Sequence, residues 1–160
     1  MQASKKRTAA GTGDSGKAGC DDRCLCLQIR RAARLVTQLY DEEVRRSGLS
    51  MAQFGLLAGL HQLGEATQRD LAEKLTLDPT TLTRNVAPLI RRGLIRKAQR
   101  DTDRRERRLQ LTPQGLAELK AASLYWRRAQ DSVRRTLGTG AWTRLHGLLD
   151  TVLGESRTTP

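Results

Sequence analysis

The helix starts of this chain are written out in individual side chains, and they constrain its fold more tightly than any other feature. Twice a capping residue is followed directly by proline, at Asp78-Pro79 and at Thr112-Pro113. The cap side chain accepts from an orphan N–H of the first turn, and proline in the first helical position gives up only an N–H that has no intrahelical partner. Ser50 with Gln53 has the spacing of a capping box, and Thr67 stands where another helix needs a cap. Gly48, Gly64 and Gly93 follow the apolar runs, at the place where a left-handed residue ends a helix.

Within these bounds apolar residues recur at the three-and-four spacing of a buried helix face. Leu25, Ile29, Ala32, Val36, Leu39 and Tyr40 give a first helix, and Phe54, Leu57, Leu60 and Leu63 a second. Leu71, Ala72 and Leu75 mark a short third, and Leu82, Val86, Leu89 and Ile90 the inner side of a fourth that runs to Arg92. After Gly93 the pattern becomes two short strands, 94–97 and 107–111, around a polar loop over 100–106. Thr112-Pro113 opens a long helix with the seam Leu116, Leu119, Trp126, Val133 and Leu137. A last helix from about Gly140 carries Trp142, Leu145, Leu149 and Val152. The expected fold is mainly α with a small β-hairpin wing, a winged helix-turn-helix in the order ααααββαα.

At 160 residues the chain suits one domain. Residues 1–20, rich in Lys, Ala, Gly, Thr and Ser, read as a disordered basic tail, and 21–156 as the domain. Its winged helix-turn-helix covers about 50–111. The helices at about 24–47 and 113–154 carry apolar stripes that one small domain cannot cover alone, so a homodimer is expected; packing of the stripes within a single chain is the alternative. Lys and Arg number 29 against 17 Asp and Glu, a formal charge of +12 that attracts polyanions. No stretch approaches the roughly 20 apolar residues of a membrane span, and the basic N-terminus has no apolar signal core. A cytoplasmic protein is expected, with no membrane partner. Cys20, Cys24 and Cys26 fall too close together to staple a fold, and neither His61 nor His146 has a finger-like spacing from them, so no metal and no other cofactor is expected.

Two short helices followed by a basic hairpin suit a module that puts one helix into the major groove of DNA and braces it with the other. Outward positions of the fourth helix are small, hydroxylic or basic: Thr80, Thr81, Arg84, Ala87, Pro88 and Arg91. Of these, Thr80, Thr81, Arg84 and Arg91, with Thr83 and Asn85 on the same helix and Gln68 on the third, are the candidate DNA contacts; the competing reading is an ordinary solvated face. Pro88 lacks the N–H that would bond the Arg84 carbonyl, so a bend is expected beyond the base-reading N-terminal half. In the hairpin, Arg104, Arg105 and Arg107 are candidates for the minor groove, with Asp103 orienting an arginine; a merely charged loop is the alternative.

The segments Thr67-Gln-Arg-Asp-Leu-Ala72, Thr81-Leu-Thr-Arg84, Leu89-Ile-Arg-Arg-Gly-Leu-Ile95, Asp103-Arg-Arg-Glu-Arg107 and Leu111-Thr-Pro-Gln-Gly115, in this order and spacing, resemble the MarR family of bacterial regulators over about residues 25–153. That resemblance implies a homodimer on a near-palindromic double-stranded operator, acting as a repressor released by a small ligand or by oxidation. It places Thr81 and Arg84 on the recognition helix, Arg105 at the wing arginine and Asp103 at its orienting acid, with Pro88 a departure from the commonest pattern. It also aligns Cys26 with the peroxide-sensing cysteine of the organic-hydroperoxide branch and Tyr40 with one of its tyrosine partners, whereas Met51 occupies the position of the other. Cys24 and Cys26 are therefore the candidate redox residues, at a helix start where Arg23, Arg30 and Arg31 favour thiolate and Asp21 and Asp22 oppose it; inert or structural cysteines are the alternative. The effector, small molecule or oxidant, is not named by the sequence. Two other function classes compete: a cysteine-based peroxide-reactive enzyme, short of a nearby histidine base, and a non-specific basic nucleic-acid binder, short of stacking aromatics at 3% Phe, Trp and Tyr.

Overall fold

A computed structural model of the chain describes residues 24–100 and 103–155, with side chains described for these except at 99, 100, 103–107 and 155. The expected tail over 1–20, with Cys20, lies outside the described residues. Each capping signal forms as the sequence implies. Helix α1, Leu25–Val44, passes into a 3₁₀ turn, Arg45–Ser47, closed by Gly48 at φ +81°. Helix α2, Met51–Leu63, starts at a complete capping box in which Ser50 accepts from the Gln53 N–H and Gln53 reaches back to the Ser50 N–H. Helices α3, Gln68–Leu75, and α4, Pro79–Arg91, start at Thr67 and Asp78. Helix α5, Pro113–Leu137, starts at Thr112, and α6, Thr139–Glu155, follows Gly138.

Two features depart from the expected order. A short strand β1, Glu65–Thr67, lies between α2 and α3 and turns the hairpin into a three-stranded antiparallel sheet of order β1-β3-β2. It pairs Ala66 with Leu109 and Thr67 with Arg108. The hairpin strands are also longer than expected: β2 spans Ile95–Arg100 and β3 Asp103–Leu111. Antiparallel pairing continues through charged residues because the ladder is made by backbone N–H and C=O groups. A bulge between Ala98 and Arg100 resets the register, so that Arg100 pairs with Asp103.

The core lies where α2, α3, α4, the sheet and the first half of α5 converge. Leu57, Leu60, Leu71, Leu82, Leu89 and Leu94 are among its fully buried members. Outside that core the picture inverts. Leu25, Leu27, Ile29, Leu35 and Leu39 on α1, and Leu145, Leu148, Leu149, Val152 and Leu153 on α6, are all exposed in the single chain. Among the described residues no helix is long and apolar enough to cross a membrane.

Candidate nucleic-acid interface

Helix α4 is held by three buried residues on one side, which decides what its other side presents. Leu82, Val86 and Leu89 face the core, and Ile90 packs against it. At 100° per residue Thr80, Arg84, Ala87 and Arg91 then fall within about 60° of one another on the opposite side. Thr80, Thr83, Arg84 and Arg91 are exposed, and Thr81, Asn85, Ala87 and Pro88 half-buried. Thr83 flanks this face on one edge; Thr81, Pro88 and Asn85 flank it on the other. The Asn85 amide is partly engaged already, donating from Nδ2 to the Thr81 carbonyl at 2.9 Å. The helix continues through Pro88 to Arg91.

The start of this helix is fixed by its cap. Asp78 Oδ1 accepts from the Thr81 N–H at 2.8 Å, and hydrogen bonds from Thr81 hold the Asp78 carboxyl below its ordinary range. Helix α3 repeats the device with a reciprocal pair, Thr67 Oγ1 accepting from the Asp70 N–H at 3.1 Å and Asp70 Oδ2 from the Thr67 N–H at 2.9 Å. Those bonds, with a smaller contribution from Arg108 across the sheet, also depress the Asp70 carboxyl. Gln68 is the first residue of α3 and is exposed. The capped start of the bracing helix is thereby tied to the wing, since Thr67 pairs with Arg108 in the sheet.

The backbone of β3 carries the four expected wing residues, Asp103, Arg104, Arg105 and Arg107, as strand rather than loop. Their side chains lie outside the described residues. The pairing of the hairpin reaches Arg100 and Asp103; the residues between them lie outside the described residues.

The expected redox residues are described but not gathered. Cys24 is half-buried as the N-cap of α1, and Cys26 is exposed as the second residue of that helix. Tyr40 lies 14 residues further on, about 21 Å along the axis at 1.5 Å per residue. Its ring is buried, its hydroxyl donates to Gln130 Oε1 on α5, and burial raises its phenol above the ordinary value. Cys26 and Tyr40 therefore do not meet within one chain. Among the described residues no group of three His, Cys, Asp or Glu is placed to hold a metal ion.

Comparison with known proteins agrees with this architecture. The family model described as MarR family matches residues 49–106, from the last turn before α2 into the wing. The HTH-type transcriptional regulator YwoH of Bacillus subtilis is 31% identical over 91 residues, which is 57% of this chain and 66% of YwoH, slightly under two thirds of its length. The transcriptional regulator MosR of M. tuberculosis is 33% identical with a TM-score of 0.74, covering 86% of this chain and 98% of that one. A second MosR structure, solved in complex with DNA, is 35% identical with a TM-score of 0.73, covering 84% and 96%.

Proposed function

The chain belongs to the MarR family, and on that premise we propose that it is a homodimeric, cytoplasmic transcriptional regulator that binds a near-palindromic double-stranded operator and has no catalytic activity of its own. The observation that carries this reading is the α4 face. Thr80, Arg84 and Arg91 project together into solvent from a helix whose start is set by the Asp78 cap and whose inner face is set by Leu82, Val86 and Leu89. Small and hydroxylic neighbours permit close approach to base edges, and Arg84 can fork onto a guanine. Gln68, Thr81, Thr83 and Asn85 border that face, and Arg104, Arg105 and Arg107 on β3, with Asp103 as orienter, are assigned to the adjacent minor groove. The homodimer is supported by the exposed apolar faces of α1 and α6, because patches of that extent are rarely left in water.

The regulator acts as a repressor whose release follows ligand binding or oxidation at Cys26, with Cys24 beside it. Exposure of the Cys26 thiol favours the second route. Because Tyr40 is turned to Gln130, any tyrosine partner for Cys26 has to come from elsewhere than its own helix.

A salt-controlled gel shift on the DNA flanking the chain's own gene tests both parts. The wild type should prefer that operator to unrelated duplex by roughly 10³-fold or more. Arg84→Ala should cost ~1–3 kcal/mol and relax operator preference, and Arg105→Ala should weaken most the operators with narrow minor grooves. Operator affinity unchanged in both variants would remove these roles. Loss of binding with cumene hydroperoxide and recovery with reductant would support the cysteine trigger, whereas indifference to peroxide would leave a small-molecule effector.

A further inference from the structure

The three residues that leave the reading helix are gripped by one side of α5. Arg92, at the C-cap of α4, donates from Nη1 to the Gly48 carbonyl at 3.1 Å and from Nη2 to Glu118 Oε2 at 3.5 Å. The Gly93 carbonyl accepts from Thr112 Oγ1 at 2.7 Å, and the Leu94 carbonyl from the Thr112 N–H at 3.1 Å. Gly115 approaches so closely that an added Cβ would stand 2.0 Å from the Leu94 oxygen. Thr112, Gly115 and Glu118 follow at three-residue steps through the first two turns of α5, so all three contacts come from neighbouring parts of the same helix surface. Gly48, the fourth partner, closes the turn that joins α1 to α2.

We propose that Arg92 is a positioning residue: by bridging Gly48 and Glu118 it sets the angle of α4 against α5, and with it the half-site spacing that the dimer accepts. The inference rests on the DNA-reading homodimer proposed above. In such a dimer the two reading helices enter major grooves one helical turn apart, about 34–36 Å, so a small rotation of each α4 changes the separation at which both fit. The Thr112 and Gly115 contacts hold Gly93 and Leu94, just beyond the helix, and Leu82, Val86 and Leu89 hold its inner face, which leaves the tilt of its C-terminal end to be set by what grips Arg92. Arg92 is the side chain that ties the helix end itself to α5 and to the α1–α2 junction.

The test uses a palindromic duplex enriched from a random pool by the wild-type protein, with one base pair added or removed between its half-sites. Wild type should bind the selected spacing most tightly. Arg92→Gln should lose about 2–5-fold at that spacing, the scale of a partly exposed ion pair, and little at the altered ones, so that the optimum flattens. Glu118→Gln is the decisive variant. Removing an acid cannot delete a phosphate contact and, if anything, strengthens attraction to DNA, so a flattened optimum in Glu118→Gln identifies the bridge as the cause; it also carries the test alone if Arg92→Gln does not fold. Equal weakening of Arg92→Gln at every spacing with Glu118→Gln like wild type would make Arg92 a plain phosphate contact and overturn the proposal. So would a wild type that prefers its operator yet tolerates all spacings. A wild type without preference for the selected duplex over an unrelated one would bring down the DNA-reading premise itself.

Discussion

Adding one methyl group at Gly115 is the sharpest test of how the wing is joined to α5. The Cβ of Gly115→Ala would lie 2.0 Å from the Leu94 oxygen, 2.9 Å from its carbonyl carbon and 3.2 Å from its Cα. All three atoms are backbone, so no side chain can swing aside. Restoring ordinary contact at 3.4 Å parts α5 from Leu94 by about 1.4 Å, a shift that costs ~1–3 kcal/mol in a packed interior. The same shift stretches the bonds from Thr112 N–H to the Leu94 carbonyl, now 3.1 Å, and from Thr112 Oγ1 to the Gly93 carbonyl, now 2.7 Å. Losing both adds ~2 kcal/mol. Alanine's higher helix propensity returns ~1 kcal/mol. The net expectation is a destabilisation of ~2–4 kcal/mol, a large share of the ~5–15 kcal/mol that holds a typical domain. Urea unfolding with matched slopes measures it. Gly55→Ala in α2 is the control, because a Cβ there meets nothing within 4 Å, and it should gain ~0.5–1 kcal/mol. A Gly115→Ala protein as stable as wild type, or shifted upward like Gly55→Ala, would refute the close approach.

Acid should loosen the reading lobe before the rest. Asp70 and Asp78 both have depressed carboxyls, through hydrogen bonds with Thr67 and Thr81. A depressed group contributes stability that is fully present above the unfolded carboxylate pKa, about 4, and is lost as pH falls through its lower folded value. Circular dichroism titrated below pH 4 should therefore show α3 and α4 fraying, and Asp78→Asn, which still caps but carries no proton-sensitive charge, should blunt the step; an identical acid profile for Asp78→Asn would count against it. Tyr40→Phe should cost ~1 kcal/mol in thermal unfolding by stranding the Gln130 oxygen at the α1–α5 contact. A melting point at or above that of wild type would mean that the pair does not tie the two helices together.

What the sequence made legible is what depends on neighbours a few residues away. Caps at Ser50, Thr67, Asp78 and Thr112 act within three residues, and all four appear where their side chains require. The outward face of α4 follows from Leu82, Val86 and Leu89 by helix geometry alone. Strand β1 was not legible, because three residues between Gly64 and α3 are too few to show a period. Its pairing with Gln110, Leu109 and Arg108 is decided some 43 residues away, as the register of Ala66 with Leu109 makes plain. The only local trace is Ala66, a small apolar residue between two polar ones, which the sheet buries. The length of β3 escaped for the opposite reason: its charges suggested a loop, but the strand pairing is made by backbone groups and does not require apolar side chains.

Cys26 and Tyr40 show where matching positions along a sequence stops being evidence of contact. Both residues stand at the registers that the resemblance assigns to a sensor and its partner, yet one helix carries both and holds them about 21 Å apart. A rigid helix cannot bring its own residues 26 and 40 together, so this pair can act only between chains or not at all. The apolar face of α1 that would meet a second copy, through Ile29, Val36 and Leu39, runs between those two residues. Dimerisation and thiol sensing would thus share one helix, and oxidation at Cys26 would reach α4 by way of the α1 and α5 contacts that end at Gly48 and Glu118. The grip of Arg92 on those two residues is the point at which a disturbance of the dimer helices could become a changed pose of the reading helix.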